Sequence, residues 1–360
     1  MHESRLPQAK ALKLKAGEWV EVRAKEEILA TLDERGCLDN MPFMPEMFQY
    51  CGQRFQVFKS AHKTCDYLRG WSIRRLSNAV HLSGVRCNGS GHDGCEASCL
   101  IFWKEAWLRR VRGDLVEILP AEGMSLQHSP VVGSCTEEAV TSATRYLSPE
   151  GLTLYRCQVT DVTQFTSQMS FWDPRQYIQD FVSGNVSSGL AGATWADRFL
   201  DATLACVRIF QATIIGCFNE VQARRKRKPY PCIHGRGPSE SNEALNLQPG
   251  ELVEVRSKEE IERTLDQDQK DRGLWFDSEM LPYCGGVYRV LRKVGRIIDE
   301  RTGKMVRMKH PSIVLEGVVC RADFHRLCPR SIYPYWRESW LKRAQDPGTT
   351  YLVNERDCAD

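Results

Sequence analysis

The sequence predicts an α+β protein in which two copies of a small, mostly β domain flank a mainly helical region. Three observations carry this expectation. A stretch of about a hundred residues recurs along the chain. Within each copy, apolar residues fall in short runs bounded by glycine and charged clusters, as strands do. Between the copies, apolar residues recur mostly at intervals of three and four, as on a helix.

The repeat organises everything else. Gly17-Glu18-Trp19-Val20-Glu21-Val22-Arg23 returns as Gly250-Glu251-Leu252-Val253-Glu254-Val255-Arg256, a shift of 233 positions. The same shift carries Lys25-Glu26-Glu27-Ile28 onto Lys258-Glu259-Glu260-Ile261 and Tyr50-Cys51-Gly52 onto Tyr283-Cys284-Gly285. It also carries Trp103, Glu105, Trp107 and Leu108 onto Trp336, Glu338, Trp340 and Leu341 without a gap. The copies therefore run from about Ala11 to Val116 (11–116) and from about Leu245 to Leu352 (245–352), with 117–244 between them.

Inside copy one, Trp19, Val20 and Val22 predict a first strand, closed by a helical turn at Lys25-Glu26-Glu27. Phe55, Val57 and Phe58 predict a second strand after the Cys51-Gly52 turn, and Val80, Leu82 and Val85 a third, matched by Ile313, Leu315 and Val318. Trp107, Leu108 and Val111 close the unit. Several short strands in so few residues suggest a partly open β-barrel, and the opening Gly17–Arg23 resembles SH3-like or KOW-like barrels at the level of the fold. Such a likeness implies no activity.

In the middle region, Tyr177, Ile178, Phe181 and Val182 follow Asp173-Pro174 with helical spacing. Trp195, Phe199, Leu200, Leu204, Val207, Phe210, Ile214 and Phe218 predict a long amphipathic helix, read as a buried one rather than a membrane span because Arg208 and Gln211 interrupt its most apolar part. It ends in the basic run Arg224 to Lys228, a solvated helix end, before a linker to Asn242.

Composition fits a soluble cytoplasmic protein: 42% apolar, 26% charged, net charge +3. So small a charge does not by itself imply a nucleic-acid or membrane partner, and the first thirty residues lack the basic start and apolar core of a secretion signal. Fifteen cysteines, an odd number, argue for free thiols and metal ligation rather than a disulfide framework.

The repeat sorts those cysteines. Cys51, Cys87 and Cys95 correspond to Cys284, Cys320 and Cys328, and His92 to His325, whereas Cys65 and Cys99 both correspond to isoleucine, Ile298 and Ile332. Joint replacement is the mark of a shared site lost in copy two. Cys65, Cys87, Cys95 and Cys99 are thus the expected thiolate quartet, around the glycine-rich loop Asn88–Gly94. Four thiolates suit an iron–sulfur cluster, 4Fe–4S favoured, or zinc. A competing zinc set is Cys51, Cys87, His92 and Cys95. Cys51 also reads as a packed residue beside a turn, and Cys206 and Cys217 as core of the long helix. Cys37, Cys135, Cys157, Cys232 and Cys358 show no partner pattern.

Asp173, Arg175 and Tyr177 are weaker candidates for a substrate pocket, with Arg175 as an anion clamp; a capped helix start explains the same residues. Trp103, Trp107, Trp336 and Trp340 suit either core packing or a partner surface. Nucleotide-binding loops, nucleophile elbows and HExxH zinc motifs are absent from the sequence.

Lys63-Thr64-Cys65-Asp66, with Cys87, Cys95, Cys99 and Phe102-Trp103-Lys104-Glu105-Ala106-Trp107-Leu108, resembles a pattern from uncharacterised bacterial proteins, to which no activity attaches. The expected function is a cytosolic metal- or iron–sulfur-binding protein, redox-active or an accessory enzyme. The alternative is a zinc-stabilised tandem SH3-like module for a protein or RNA partner. Partners are a protein or small-molecule substrate, with RNA less favoured and no membrane.

Overall fold

Val20 and Val22 are fully buried while Trp19 and Glu21 face outward, and this two-residue period makes Trp19–Val22 (β1) a strand with one wet face. The computed structural model places it among residues 11–67, 72–111, 135–187, 194–235, 237 and 245–344, which it describes. The fold is α+β, made of small antiparallel sheets, one of them a half-barrel. Two compact units are present. The first comprises Met1–Tyr230, Arg296–Arg307 and Cys320–Ile332; the second comprises Pro231–Gly295, Met308–Val319 and Tyr333–Asp360. This division differs from the three consecutive segments 11–116, 117–244 and 245–352. The boundary at 116–117, the linker stretch 238–244, Leu352 and Cys358 lie outside the described residues.

In the first unit, β1 leads into the helical turn Lys25–Leu29 (α1) and the short strands Cys37–Leu38 (β2) and Met41–Pro42 (β3). A 3-10 turn at Pro45–Tyr50 follows, then Arg54–Ser60 (β4), Lys63–Asp66 (β5), Ser72–Arg75 (β6) and Ala79–Leu82 (β7). After Trp103–Lys104 (β8) and Leu108–Arg110 (β9), the sheet order is β8-β7-β4-β1-β9. Its inner face holds Val20, Val22, Ile28, Phe43, Trp103 and Trp107. Phe43 meets Trp107 edge-on at 5.1 Å, an arrangement aromatic quadrupoles favour.

The middle segment is not mainly helical. It contains Glu137–Ser142 (α2), the hairpin Arg145–Leu147 (β10) and Thr153–Tyr155 (β11), and Ser167–Gln168 (β12), which extends a sheet ordered β12-β6-β5. Only then come Arg175–Val182 (α3) and Trp195–Arg224 (α4). α3 inverts the expected amphipathicity: Gln176 and Asp180 are buried while Ile178, Phe181 and Val182 are exposed. The cause is Lys63, fully buried, whose Nζ lies 2.5 Å from Asp180 Oδ2. A buried ammonium needs a counter-charge, and the helix turns its polar side inward to supply it.

The expectation of a buried α4 also fails. Ala205, Ala212 and Gly216 face the unit, but Trp195, Phe199, Phe210 and their apolar neighbours are exposed, as is Cys206, expected in the core. α4 is long and apolar enough to cross a membrane by length and composition.

In the second unit, Leu252–Val255 (β13), Lys258–Glu262 (α5), Lys270–Asp271 (β14) and Leu274–Trp275 (β15) repeat the opening order. They precede Val287–Ile298 (β16) and Met305–Leu315 (β17), whose hairpin tip, Arg296–Arg307, belongs to the first unit, and Leu341–Arg343 (β18), in a sheet ordered β17-β16-β13-β18. Strand registers repeat with the sequence: Val20 pairs with Phe55 and Arg110, Val253 with Tyr288 and Arg343. Phe276 meets Trp340 at 5.2 Å, as Phe43 meets Trp107. All four repeated tryptophans are fully buried, so they are core and not a partner surface.

Candidate metal centre

The loop after β7 folds tightly because glycines allow it. Gly89 has φ 76°, and a Cβ there would lie 2.1 Å from the Cys95 carbonyl oxygen. The amides of His92 and Gly94 both donate to the Gly89 carbonyl, at 3.0 and 2.9 Å, and the Cys87 amide donates to the Cys99 carbonyl at 2.9 Å. The closed loop turns Cys87 and His92 toward the 3-10 turn that carries Glu46. At Gly91 a Cβ would stand 2.6 Å from Glu46 Oε2, so glycine is what lets that carboxylate in.

The result is a trio expected from neither cysteine set. One ligand atom from each of Glu46, Cys87 and His92 lies within 4.8 Å of the other two. Cys87 Sγ is 3.0 Å and His92 Nδ1 3.8 Å from Glu46 Oε1. Zinc bonds of 2.0–2.3 Å at tetrahedral angles set ligand atoms roughly 3.3–3.8 Å apart, so little movement would seat an ion. Glu46 and His92 are buried, and Glu46 Oε2 and His92 Nε2 have no hydrogen-bond partner. Buried polar atoms without partners are costly; an ion held between Glu46 and His92 Nδ1 would meet the carboxylate but not His92 Nε2, which faces away across the ring. Burial, and then the Glu46 carboxylate, push the Cys87 thiol well above its ordinary range; burial lowers His92, which keeps its imidazole neutral. A metal ion would reverse the first effect by stabilising the thiolate.

Cys95, Cys99 and Cys157 line the same cavity of about 40 Å³, with Met44, Ile298 and Glu300. Burial raises Cys157 to about 12 and raises Cys99 further. Three members of the expected quartet thus share one cavity; the fourth does not line it.

Cys65 is elsewhere, for a reason the repeat makes plain. Its amide donates to Cys328 Sγ at 3.1 Å, and it clusters with Cys320. The equivalent bond 233 residues on and back runs from the Ile298 amide to Cys95 Sγ, at 3.4 Å. The β5–β6 hairpin therefore covers the loop Cys320–Ile332, and the tip of the β16–β17 hairpin covers the loop Cys87–Cys99. The expected quartet would need the β5–β6 hairpin to cover the loop of its own copy. With the hairpins exchanged, each loop has cysteines at its first and second repeat positions, but Cys65 and Cys99 serve different loops. Cys65 is raised by its hydrogen bond to Cys328 and then by burial. Burial would raise Cys328 too, but its bonds from Cys65 and the Arg330 amide prevail and lower it.

Cys51 lies at the end of the 3-10 turn against the hydrophobic core, outside the cavity lining, so the second expected zinc set is not assembled either. Asp173 and Arg175 bind each other: the Arg175 amide and Nε donate to Asp173 Oδ1 at 3.0 and 2.8 Å, and Arg75 also pairs with Asp173. The Arg175 bonds, foremost, lower Asp173 to about 2. This is a helix start satisfied in itself. Tyr177 lies on α3 with its ring 5.2 Å from Lys63 Nζ.

Glu46 and Cys157 are the residues missed. Glu46 left a signal: it is the lone charge in the run Met41-Pro42-Phe43-Met44-Pro45-Glu46-Met47-Phe48, and the shift carries it onto Glu279. Cys157 left none, lying outside the repeat. Comparison with protein-family models, curated proteins and solved structures gives no match to this chain.

Proposed function

We propose that this chain is a zinc-binding protein in which Glu46, Cys87 and His92 hold one ion at the base of the Cys87–Cys99 loop. The single observation behind this reading is the convergence of an oxygen, a sulfur and a nitrogen ligand atom in a buried pocket. A mixed O/S/N set suits zinc, and three protein ligands leave a fourth position for water, substrate or one neighbouring thiol. The cavity of about 40 Å³ has room for an ion and a few waters, at roughly 10–15 Å³ each. No disulfide joins the fourteen cysteines among the described residues, in keeping with a reducing compartment. On this reading the two sheets are SH3-like half-barrels related by duplication, and the ion stiffens a loop of the first for a protein or small-molecule partner.

A second reading rests on Cys87, Cys95, Cys99 and Cys157 sharing the cavity. These thiols would hold an iron–sulfur cluster with Cys157 in the place assigned to Cys65. Metal and acid-labile sulfide analysis after anaerobic purification separates the two. One zinc per chain, lost in Cys87→Ser and kept in Cys157→Ser and Cys65→Ser, supports the proposal. Iron with sulfide, lost in Cys157→Ser, supports the cluster. Metal-free protein from zinc-supplemented, anaerobic growth rejects both.

A further inference from the structure

α4 carries a second surface unrelated to the cavity. Its inner face is small and closely held: Ala205, Ala212 and, half-buried, Ile209 pack with Val186, Leu327 and Tyr177. Arg208 binds Asp323 at 2.8 Å, and Arg326 approaches Glu220 at 3.6 Å. The outer face has a different character. Phe199, Leu200, Leu204, Val207, Phe210, Ile214, Phe218 and Val221 are all more than 40% exposed, and Phe210 reaches 66%. At 3.6 residues per turn they span an arc of roughly 140°. Within it lie Thr203 and Gln211, but no charged residue; Asp201, Arg208 and Glu220 sit on the flanks nearer the body. Leaving so large an apolar strip in water is unfavourable and marks an interaction surface.

What covers it is indicated by the end of the helix. Arg224, Arg225, Lys226, Arg227 and Lys228 follow Val221 within two turns, and all five are exposed. Trp195, 81% exposed, stands at the opposite end. A charge-free apolar face, an aromatic at one end and a polybasic run at the other together match an anionic bilayer surface. Pairing with a second copy accounts for less. The arc is wider than a two-helix seam needs, and a parallel pairing would set two five-residue basic runs side by side. Because the opposite face is bound to the unit, the helix would lie along the membrane rather than cross it.

We propose that α4 is a peripheral membrane anchor, seating its outer face among the acyl chains of an anionic lipid surface while the basic run binds the head groups. This reverses the expectation of no membrane partner, which took the helix as buried. The test is flotation of the purified full chain with vesicles of phosphatidylglycerol and phosphatidylcholine, against phosphatidylcholine alone. Wild type should float with the anionic vesicles, and release as salt rises from about 0.1 to about 1 M, where screening shortens from roughly 10 to roughly 3 Å. Each charge removed among Arg225, Lys226 and Arg227 should weaken partitioning about fivefold. Phe210→Asp and Phe218→Asp, both at exposed positions, should abolish flotation with an unchanged far-ultraviolet circular dichroism spectrum. No flotation of wild type, or flotation indifferent to Phe210→Asp, overturns the proposal. Should wild type instead stay in solution as a dimer that Phe210→Asp splits, the face belongs to a second copy.

Discussion

Lys63 and Asp180 show how much one buried charge can dictate. Both side chains are 0% exposed, and His62 Nε2 adds a contact to Asp180 at 3.3 Å. Burial lowers the Lys63 pKa while Asp180 opposes it. A buried pair stabilises little against an apolar substitute, but removing one partner strands the other. Asp180→Asn should therefore cost about 3–5 kcal/mol in urea unfolding, and adding Lys63→Met should restore most of it. A single-variant cost under about 1 kcal/mol would mean that water reaches the ammonium. Unpartnered polar atoms recur elsewhere in the described residues, at His62, His81 and Trp103 among others, so what sets Glu46 and His92 apart is their convergence with Cys87.

At the scale of elements, one carboxylate fastens each sheet's entry. Glu105 accepts from the amides of Lys13 and Leu14 at 3.0 and 2.9 Å; Glu338 accepts from Asn246 and Leu247 at 3.0 Å each. Glu105→Ala strands both amides and should cost roughly 1–3 kcal/mol, with Glu338→Ala costing a similar amount in its own sheet. Guanidinium melts read on both variants check this, and a neutral effect in either would show the amides finding water. The strands, the α1 turn and the repeat were legible because alternation and identity leave marks at fixed spacing. The kinks were not. Copy one breaks its long hairpin into β4–β5 and β6–β7, with Asn78 at φ 51°, while copy two runs straight through as β16 and β17. No local signal told which loop each hairpin would cover, and that decides where Cys65 goes. α3 and α4 were legible as helices but not in facing, because apolar periodicity locates a face without saying what it meets.

For the whole molecule, the sequence repeat comes with matching strand registers, while the loops differ in content. Cys87, His92 and Glu46 have the same residue types 233 positions on, at Cys320, His325 and Glu279, whereas Cys99 has lost its counterpart to Ile332. The expectation of a quartet read that loss as the disappearance of one site. The folded chain sets Cys99 in the cavity lining and Cys65 against Cys328, with Arg330 reaching from the Cys65 carbonyl to Glu300 of that lining. What the copies share is the trio's residue types; among the described residues their ligand atoms converge in copy one alone. The most direct measurement is X-ray absorption at the zinc edge on the purified full chain. The expected first shell has one sulfur at about 2.3 Å with nitrogen and oxygen at roughly 2.0–2.2 Å, rising to two sulfurs if a neighbouring thiol closes the fourth position. A shell of four sulfurs, or zinc retained with an unchanged spectrum in Cys87→Ser, would contradict it.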